Sequence, residues 1–203
     1  MTDPVAALRA ILPAGVIVAG GRVAALDAAL WPGEGLPAAA RPVRRAEFAA
    51  GRSAARAALA AAGLPPAALP RDSRGLPMWP AGITGSITHA GGWALAAVTR
   101  LPPGLGIDAE QADATLPLAD IATAEELAAD PDPIRLFSAK EAAYKAQFPR
   151  SGALLAFTDL EITFAGDGFA ARFLRDVPPF STGTTLHGRQ ARAAGLILSA
   201  VVF

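Results

Sequence analysis

Cysteine is absent from the 203-residue chain. That excludes a disulfide framework, a thiolate metal site and a cysteine nucleophile. Lysine is nearly absent: Lys140 and Lys145 stand against sixteen arginines. Histidine occurs twice, tyrosine once, and aromatic residues make up 6%. No apolar run approaches the roughly 18 residues of a membrane span. The opening segment, MTDPVAALRAILPAGVIVAGGR, has no basic start before a long apolar run; Asp3 and Pro4 come early and Arg9 interrupts it. A secretion signal is not expected, and the expected location is the cytoplasm. Net charge is lacking too, at +0. With so few aromatics, that argues against nucleic acid as a partner.

Hydrophobic residues make up 52% and charged residues 18%, so the chain can bury a sizeable core. The length suits one domain or two small lobes. Alanine is abundant, with 50 residues, but no repeat period appears. The charge is unevenly spread. Residues 1–100 hold ten arginines and five acids, and residues 101–203 hold eight basic and thirteen acidic residues. A basic half beside an acidic half suits a polyanion held next to a cation; two halves that simply attract each other would look the same. Because arginine has displaced lysine almost everywhere, the two lysines five residues apart are informative. An ammonium differs from a guanidinium in reach and donor geometry.

Apolar periodicity and Gly/Pro punctuation predict helices over 3–12, 43–62, 122–129 and 133–148, the last closed by Pro149. Strands are predicted over 15–19, 83–89, 93–99, 105–110, 154–164, 169–174, 184–188 and 194–203. The turn Ala90-Gly91-Gly92 makes a hairpin of two of these, and residues 64–82 form a long Pro/Gly-rich loop. The order argues for an α+β fold with antiparallel sheet. Pro102, Pro103 and Gly104 break the chain near its midpoint, which predicts lobes of 1–103 and 104–203.

Four segments carry residue types that do chemistry. In Leu105-Gly106-Ile107-Asp108-Ala109-Glu110, strand alternation puts Asp108 and Glu110 on one side and Ile107 and Ala109 on the other. The two carboxylates would be borne on Cα atoms ~6.5–7 Å apart. They repel unless a cation or a proton sits between them. Mg²⁺ suits such oxygen ligands together with substrate phosphates; an exposed polar face is the alternative. In Phe137-Ser138-Ala139-Lys140-Glu141-Ala142-Ala143-Tyr144-Lys145, helical spacing sets Glu141 in a stripe with Phe137, Tyr144 and Phe148. Ser138 and Glu141 also match a capping box, and Glu141 with Lys145 an ordinary helix pair. In Gly85-Ser86-Ile87-Thr88-His89-Ala90-Gly91-Gly92, a hydroxyl and an imidazole end a strand beside glycines. A phosphate can approach backbone there, or the histidine is structural. No G-x-S-x-G elbow surrounds Ser86. Along residues 44–56, Arg45, Arg52 and Arg56 fall on one helical face, with Arg44 by the helix start. Guanidinium forks bind phosphates, though a solvated basic face reads the same.

In this order the segments resemble the Sfp-type 4′-phosphopantetheinyl transferases, through G-I-D-A-E and then F-S-A-K-E-A-x-Y-K roughly thirty residues later. The upstream R-R-A-E-F-x-x-G-R-x-x-A-R, G-L-P-x-W-P and G-S-I-T-H are similar to the enterobactin-synthase-component-D-like branch. The resemblance runs from about Arg44 to Lys145; roughly the last fifty residues carry no diagnostic motif.

The resemblance implies a pseudo-dimer: two similar α+β lobes with antiparallel sheets and the active site between them. The implied reaction moves 4′-phosphopantetheine from coenzyme A to a serine of an apo acyl or peptidyl carrier protein, with Mg²⁺ or Mn²⁺, releasing 3′,5′-ADP. Asp108, Glu110 and Glu141 match the family's metal carboxylates. Glu141, or a water it holds, is the expected base, and Lys145 the assisting lysine. Arg44, Arg52, Arg71, Thr88, His89, Lys140 and Lys145 are the implied coenzyme A contacts. The helical-face reading favours Arg45 over Arg44. Some relatives have Lys in place of Arg71, and many have Cys in place of Ala90. A monomer serving siderophore or secondary-metabolite biosynthesis is the implied setting. Two other readings use the same residues. A pyrophosphate hydrolase would release 3′,5′-ADP without a carrier, and a binding module would hold coenzyme A without turnover.

Overall fold

The computed structural model describes residues 2–37, 39–100, 104–116 and 121–203. Helix α1 (Pro4–Ala10) starts where the Asp3 carboxylate accepts from the Ala6 N–H at 3.2 Å, with Pro4 in the first turn, where no N–H is needed. Strand β1 (Ile17–Arg22) pairs with β3 (Trp93–Thr99), and β3 pairs on its other side with β2 (Thr84–Ala90). This antiparallel sheet has the order β1-β3-β2. The β2–β3 hairpin turns at Gly91 and Gly92, both at positive φ (54° and 75°), which glycine adopts without a Cβ clash. Helix α2 (Pro42–Ala61) covers the sheet with Ala54, Ala55, Ala58 and Leu59, buried against Leu69, Ala96 and Val98.

The second sheet holds β4 (Leu105–Gln111), β5 (Leu160–Ala165), β6 (Gly168–Phe173), β7 (Thr185–Ala193) and β8 (Leu196–Val202), in the order β4-β8-β7-β6-β5. Helix α3 (Ala124–Ala129) precedes α4 (Pro133–Ser151), which lies on this sheet. The buried face of α4 is Ala139, Ala142, Ala143 and Ala146. Such small side chains let the helix approach closely, and Gly106 on β4 removes the last obstacle. A Cβ at Gly106 would fall 2.0 Å from the Ala142 carbonyl oxygen and 2.5 Å from the Ala146 nitrogen. Main-chain atoms cannot rotate away. Gly106→Ala is therefore expected to cost about 3 kcal/mol, the upper end of overpacking. Thermal unfolding would then show Tm lowered by roughly 6–12 °C. An unchanged Tm would mean that α4 shifts freely on β4.

The two sheets meet where β2 and β4, both edge strands, lie side by side. They remain separate ladders; side chains make the join. Ser86 Oγ accepts from the Ile107 N–H at 3.0 Å, and Thr88 Oγ1 from the Ala109 N–H at 3.1 Å. Exposed strand edges invite unwanted pairing, and here hydroxyls from one sheet satisfy the edge of the other. Residues i and i+2 share a strand face, so Ser86 and Thr88 point to β4 while Ile87 and His89 point away.

The α+β class with antiparallel sheets is as predicted, and the hairpin and α2 differ from the prediction by at most one residue at an end. Several boundaries differ. Pro149 does not close α4; the helix runs to Ser151 and stops at Gly152, whose φ is 64°. The strand predicted over 154–164 begins only at Leu160. Before it, Asp159 accepts from the Ala156 N–H at 2.9 Å and closes a 3₁₀ turn. β7 runs to Ala193 rather than residue 188, and Ala194-Gly195 make its turn to β8. The predicted lobe break at Pro102 and Pro103 lies outside the described residues.

Candidate active site

The face of β2 that points away from β4 meets the first turns of α2 across a cavity of about 190 Å³. Arg44, Arg52, Arg71 and His89 all line it, together with Glu47 and Phe48. An Arg44 guanidinium nitrogen meets His89 Nε2, and Glu47 lies 3.6 Å from His89 Nδ1. Arg52 is 4% exposed, stacks over Phe48 at 4.4 Å, and its Nε has no hydrogen-bond partner. Burial lowers its pKa to about 10; Glu34 opposes this, and Arg71, Arg56 and Arg44 add to it. His89 is also lowered, first by burial, with Arg44 and Lys145 adding and Glu47 and Asp108 opposing. Crowded cations with an orphaned donor are the electrostatic description of an anion site. The loop after α2 delivers Arg71: Asp72 Oδ1 accepts from the N–H groups of Arg74 (2.9 Å) and Leu76 (2.8 Å). Gly75, at φ 88°, leaves room for the Arg71 guanidinium, which a Cβ would approach to 2.6 Å.

Of the two neighbouring arginines, Arg44 is the one on the cavity. Arg45 Nε donates to the Ala40 carbonyl at 2.9 Å, so the helical-face preference for Arg45 is reversed. Arg56, on the same predicted face, is held by Glu34 at 2.7 Å. Glu34 also accepts from the Leu69 N–H at 2.8 Å, so this pair braces the loops behind the cavity.

Across the seam stands a second cluster. Asp108, 2% exposed, accepts from Lys145 Nζ at 2.6 Å through Oδ1, while its buried Oδ2 has no partner. Thr88 Oγ1 donates to the same Oδ1 at 3.4 Å. Thr88 therefore touches the carboxylate cluster while its neighbour His89 faces the arginines. Burial, then Asp108 and Glu141, push Glu110 up to about 7 against the pull of Lys145. Glu141 is raised by burial and by Asp108, again opposed by Lys145. Lys145 would be lowered by burial, but Asp108, Glu141 and Glu110 outweigh that and raise it. Three carboxylates thus share one ammonium. A larger cavity of about 520 Å³ opens beside Lys145, with apolar walls that include Trp79, Tyr144 and Phe148.

The donor set fits a hard divalent cation in its chemistry: oxygen ligands, an orphaned buried Asp108 oxygen, and two further carboxylates that resist ionisation as they stand. Among the described residues, no group of three such side chains is already arranged to hold a metal ion. Lys145 occupies the other Asp108 oxygen.

Glu110 makes a pH prediction. Its folded pKa lies above the ordinary glutamate value of 4.5, at about 7. Between those values the folded state keeps a proton that the unfolded state has lost, so stability falls as pH rises through the window. With chelator present, Glu110→Gln is expected to stabilise by on the order of 1 kcal/mol at pH 8, the full effect of the shift being reduced because water screens this half-buried carboxylate. The gain should vanish near pH 4. A Tm difference independent of pH would rule out this charge effect.

The capping-box reading of Ser138 and Glu141 is not what forms. Helix α4 starts at Pro133 with Asp132 as its N-cap, and Ser138 Oγ lies 2.7 Å from Ser199 Oγ. The box belongs instead to Thr123 and Glu126, at the start of α3. Nor does Lys145 bond Glu141; it reaches Asp108. Lys140 joins neither cluster: it is buried on Glu126 and the Phe157 carbonyl. Glu47, Glu34 and Glu126 were not singled out in the sequence. Only Glu126 had a local signal, the Thr123-x-x-Glu126 pattern before a helix.

Most of the sequence that builds this site matches known protein families. Residues 33–99 match the family described as the 4′-phosphopantetheinyl transferase N-terminal domain, and residues 104–196 match the 4′-phosphopantetheinyl transferase superfamily. The chain belongs to that family of enzymes. It is 40% identical over 195 residues to the 4′-phosphopantetheinyl transferase PptT of Mycobacterium tuberculosis, covering 83% of this chain and 84% of the relative. It is 40% identical over 193 residues to the 4′-phosphopantetheinyl transferase Svp of Streptomyces mobaraensis, covering 85% and 78%. The transferase Npt of Nocardia iowensis is 36% identical over 185 residues, covering 79% and 82%. Among the described residues, no helix is long and apolar enough to cross a membrane.

Proposed function

We propose that this transferase moves 4′-phosphopantetheine from coenzyme A to a serine of an apo acyl or peptidyl carrier protein. The observation that carries the reading is the juxtaposition across one strand: His89 faces the arginine cavity and Thr88 touches Asp108. Coenzyme A carries a pyrophosphate and a 3′-phosphate. Arg44, Arg52, Arg71 and His89 offer the cationic, partly unpartnered surface that these anions need. The apolar cavity beside Lys145 suits an uncharged part of the same substrate.

In the reaction, the serine hydroxyl oxygen bonds to the phosphorus that bears pantetheine. The bond from that phosphorus to the bridging oxygen breaks, and 3′,5′-ADP leaves with the electron pair. The hydroxyl proton passes to Glu141 or to a water it holds. Burial and Asp108 raise Glu141, which strengthens it as a base. Lys145 offers its ammonium to the 5′-phosphate of the leaving 3′,5′-ADP. Asp108, Glu110 and Glu141 would hold Mg²⁺ or Mn²⁺, which would neutralise charge growing on the pyrophosphate.

The motifs around Arg44, Gly75 and Gly85 favour the enterobactin-synthase-component-D-like branch. Siderophore or secondary-metabolite biosynthesis in the cytoplasm is the setting we assign. Lobes of 1–103 and 104–203 supply the two halves of the site within one chain, so we expect a monomer.

Intact-mass spectrometry of an apo carrier protein, incubated with this chain, coenzyme A and Mg²⁺, tests the reading. The expected result is a gain of one phosphopantetheine, abolished by chelator. Coenzyme A binding with no gain on several carrier types would overturn it. Release of 3′,5′-ADP without a carrier would mark a hydrolase instead.

A further inference from the structure

Lys140 is 1% exposed. Its Nζ donates to Glu126 Oε2 at 2.7 Å and to the Phe157 carbonyl at 2.9 Å. Glu126 is buried as well. Its Oε2 also accepts from the Thr123 N–H at 2.9 Å, and its Oε1 from the Ile162 N–H at 2.8 Å. The ammonium and the carboxylate are thus paired and further hydrogen-bonded, the condition under which a buried ion pair is tolerated. The pair ties together three stretches distant in sequence: the capped start of α3, the 157–162 segment entering β5, and α4.

Helix α4 and the 155–160 segment line a small pocket of about 70 Å³, with Lys140, Glu141 and Tyr144 on one side and Leu155, Phe157 and Leu160 on the other. Glu141 follows Lys140 on the helix and lines the same pocket, so whatever holds the helix at Lys140 also holds the backbone that carries the Glu141 carboxylate. To reach a substrate phosphate, Lys140 would have to break both of its bonds and leave Glu126 buried without a counter-charge, a costly exchange.

We propose that Lys140 and Glu126 are positioning residues: their ion pair holds the 155–162 segment against α4 and so sets Glu141, and Lys140 does not contact coenzyme A. The proposal rests on the transferase reading above for what Glu141 does. Its placement of Lys140 is testable without turnover.

Lysine acetylation of the wild-type protein, read by mass spectrometry with and without coenzyme A, is the first arm. Lys140 should stay unmodified in both states. Modification in the free protein that coenzyme A prevents would overturn the proposal. The second arm compares Lys140→Met with the double variant Lys140→Met/Glu126→Gln. For Lys140→Met, kcat should fall about tenfold or more, with KM for coenzyme A and Kd for 3′,5′-ADP within about threefold of wild type. The double variant, which removes both charges, should recover most of the lost Tm and part of the lost kcat. Weakening of 3′,5′-ADP binding by about tenfold in either folded variant, or an unchanged kcat in Lys140→Met, would overturn the assignment. If Lys140→Met does not fold, the double variant and the labelling decide between the same two outcomes. Failure of the transferase reading would show separately, as absence of carrier modification by the wild type.

Discussion

Glu141→Gln is expected to remove nearly all transfer while leaving a folded protein that still binds coenzyme A. Glutamine keeps the size of the side chain but can neither take a proton nor carry charge to a metal. Losing a general base alone costs ~10²–10⁴ in kcat. The proposed binding surface is elsewhere: Arg44, Arg52, Arg71 and His89 line a cavity between α2 and β2 that does not include Glu141. Affinity for 3′,5′-ADP should therefore stay within about threefold of wild type, measured by calorimetry, as for loss of an interaction made mainly in the transition state. Stability should hold or rise, because Glu141 adds to the repulsion that pushes Glu110 up. Carrier modification at the wild-type rate would remove Glu141 from both proposed roles at once.

The sequence made some parts of this arrangement legible and hid others, for identifiable reasons. The β2–β3 hairpin, α2 and β4 could be read because their signals are local: glycines at the turn, helical apolar spacing, strand alternation. Asp108, Glu110, Glu141 and Lys145 could be picked out because motifs keep residue types at fixed spacings, and the fold brings these four groups together. Which arginine faces the cavity could not. A helical wheel groups Arg45, Arg52 and Arg56, but Glu34 claims Arg56 from 22 residues away and the chain at Ala40 claims Arg45. The seam was equally hidden. Ser86 lacks the surroundings of a hydrolase serine and Thr88 is expected among the coenzyme A contacts; neither reading reveals that both hydroxyls hold the edge of β4. Such pairing across sheets leaves no periodicity in either strand. Pro149 misled because a proline usually ends a helix, yet in the last turn it forfeits only one hydrogen bond, and the left-handed Gly152 is what stops the chain.

Asp108→Asn is expected to have the second large effect, and its outcome separates a metal role from a purely structural one. Asp108 is the hub of the cluster: it holds Lys145, receives Thr88, and keeps one buried oxygen without a partner. Asparagine retains the shape and an acceptor for Lys145, so Tm should change by no more than a few degrees, the scale of about 1 kcal/mol in a chain of this length. What disappears is the charge. Loss of one carboxylate ligand should cost turnover ~10²-fold or more if the side chain serves a divalent cation. Raising Mg²⁺ should restore part of that loss when the defect is affinity for the ion. The variant should also lower the Glu110 pKa, since Asp108 is the largest charge raising it after burial. Monitoring Glu110 by NMR titration in chelator checks this directly. Normal, Mg²⁺-dependent turnover by Asp108→Asn would place the metal elsewhere. A collapse in Tm with unchanged activity in the surviving fold would make Asp108 a fastener for Lys145 at the seam of β2 and β4.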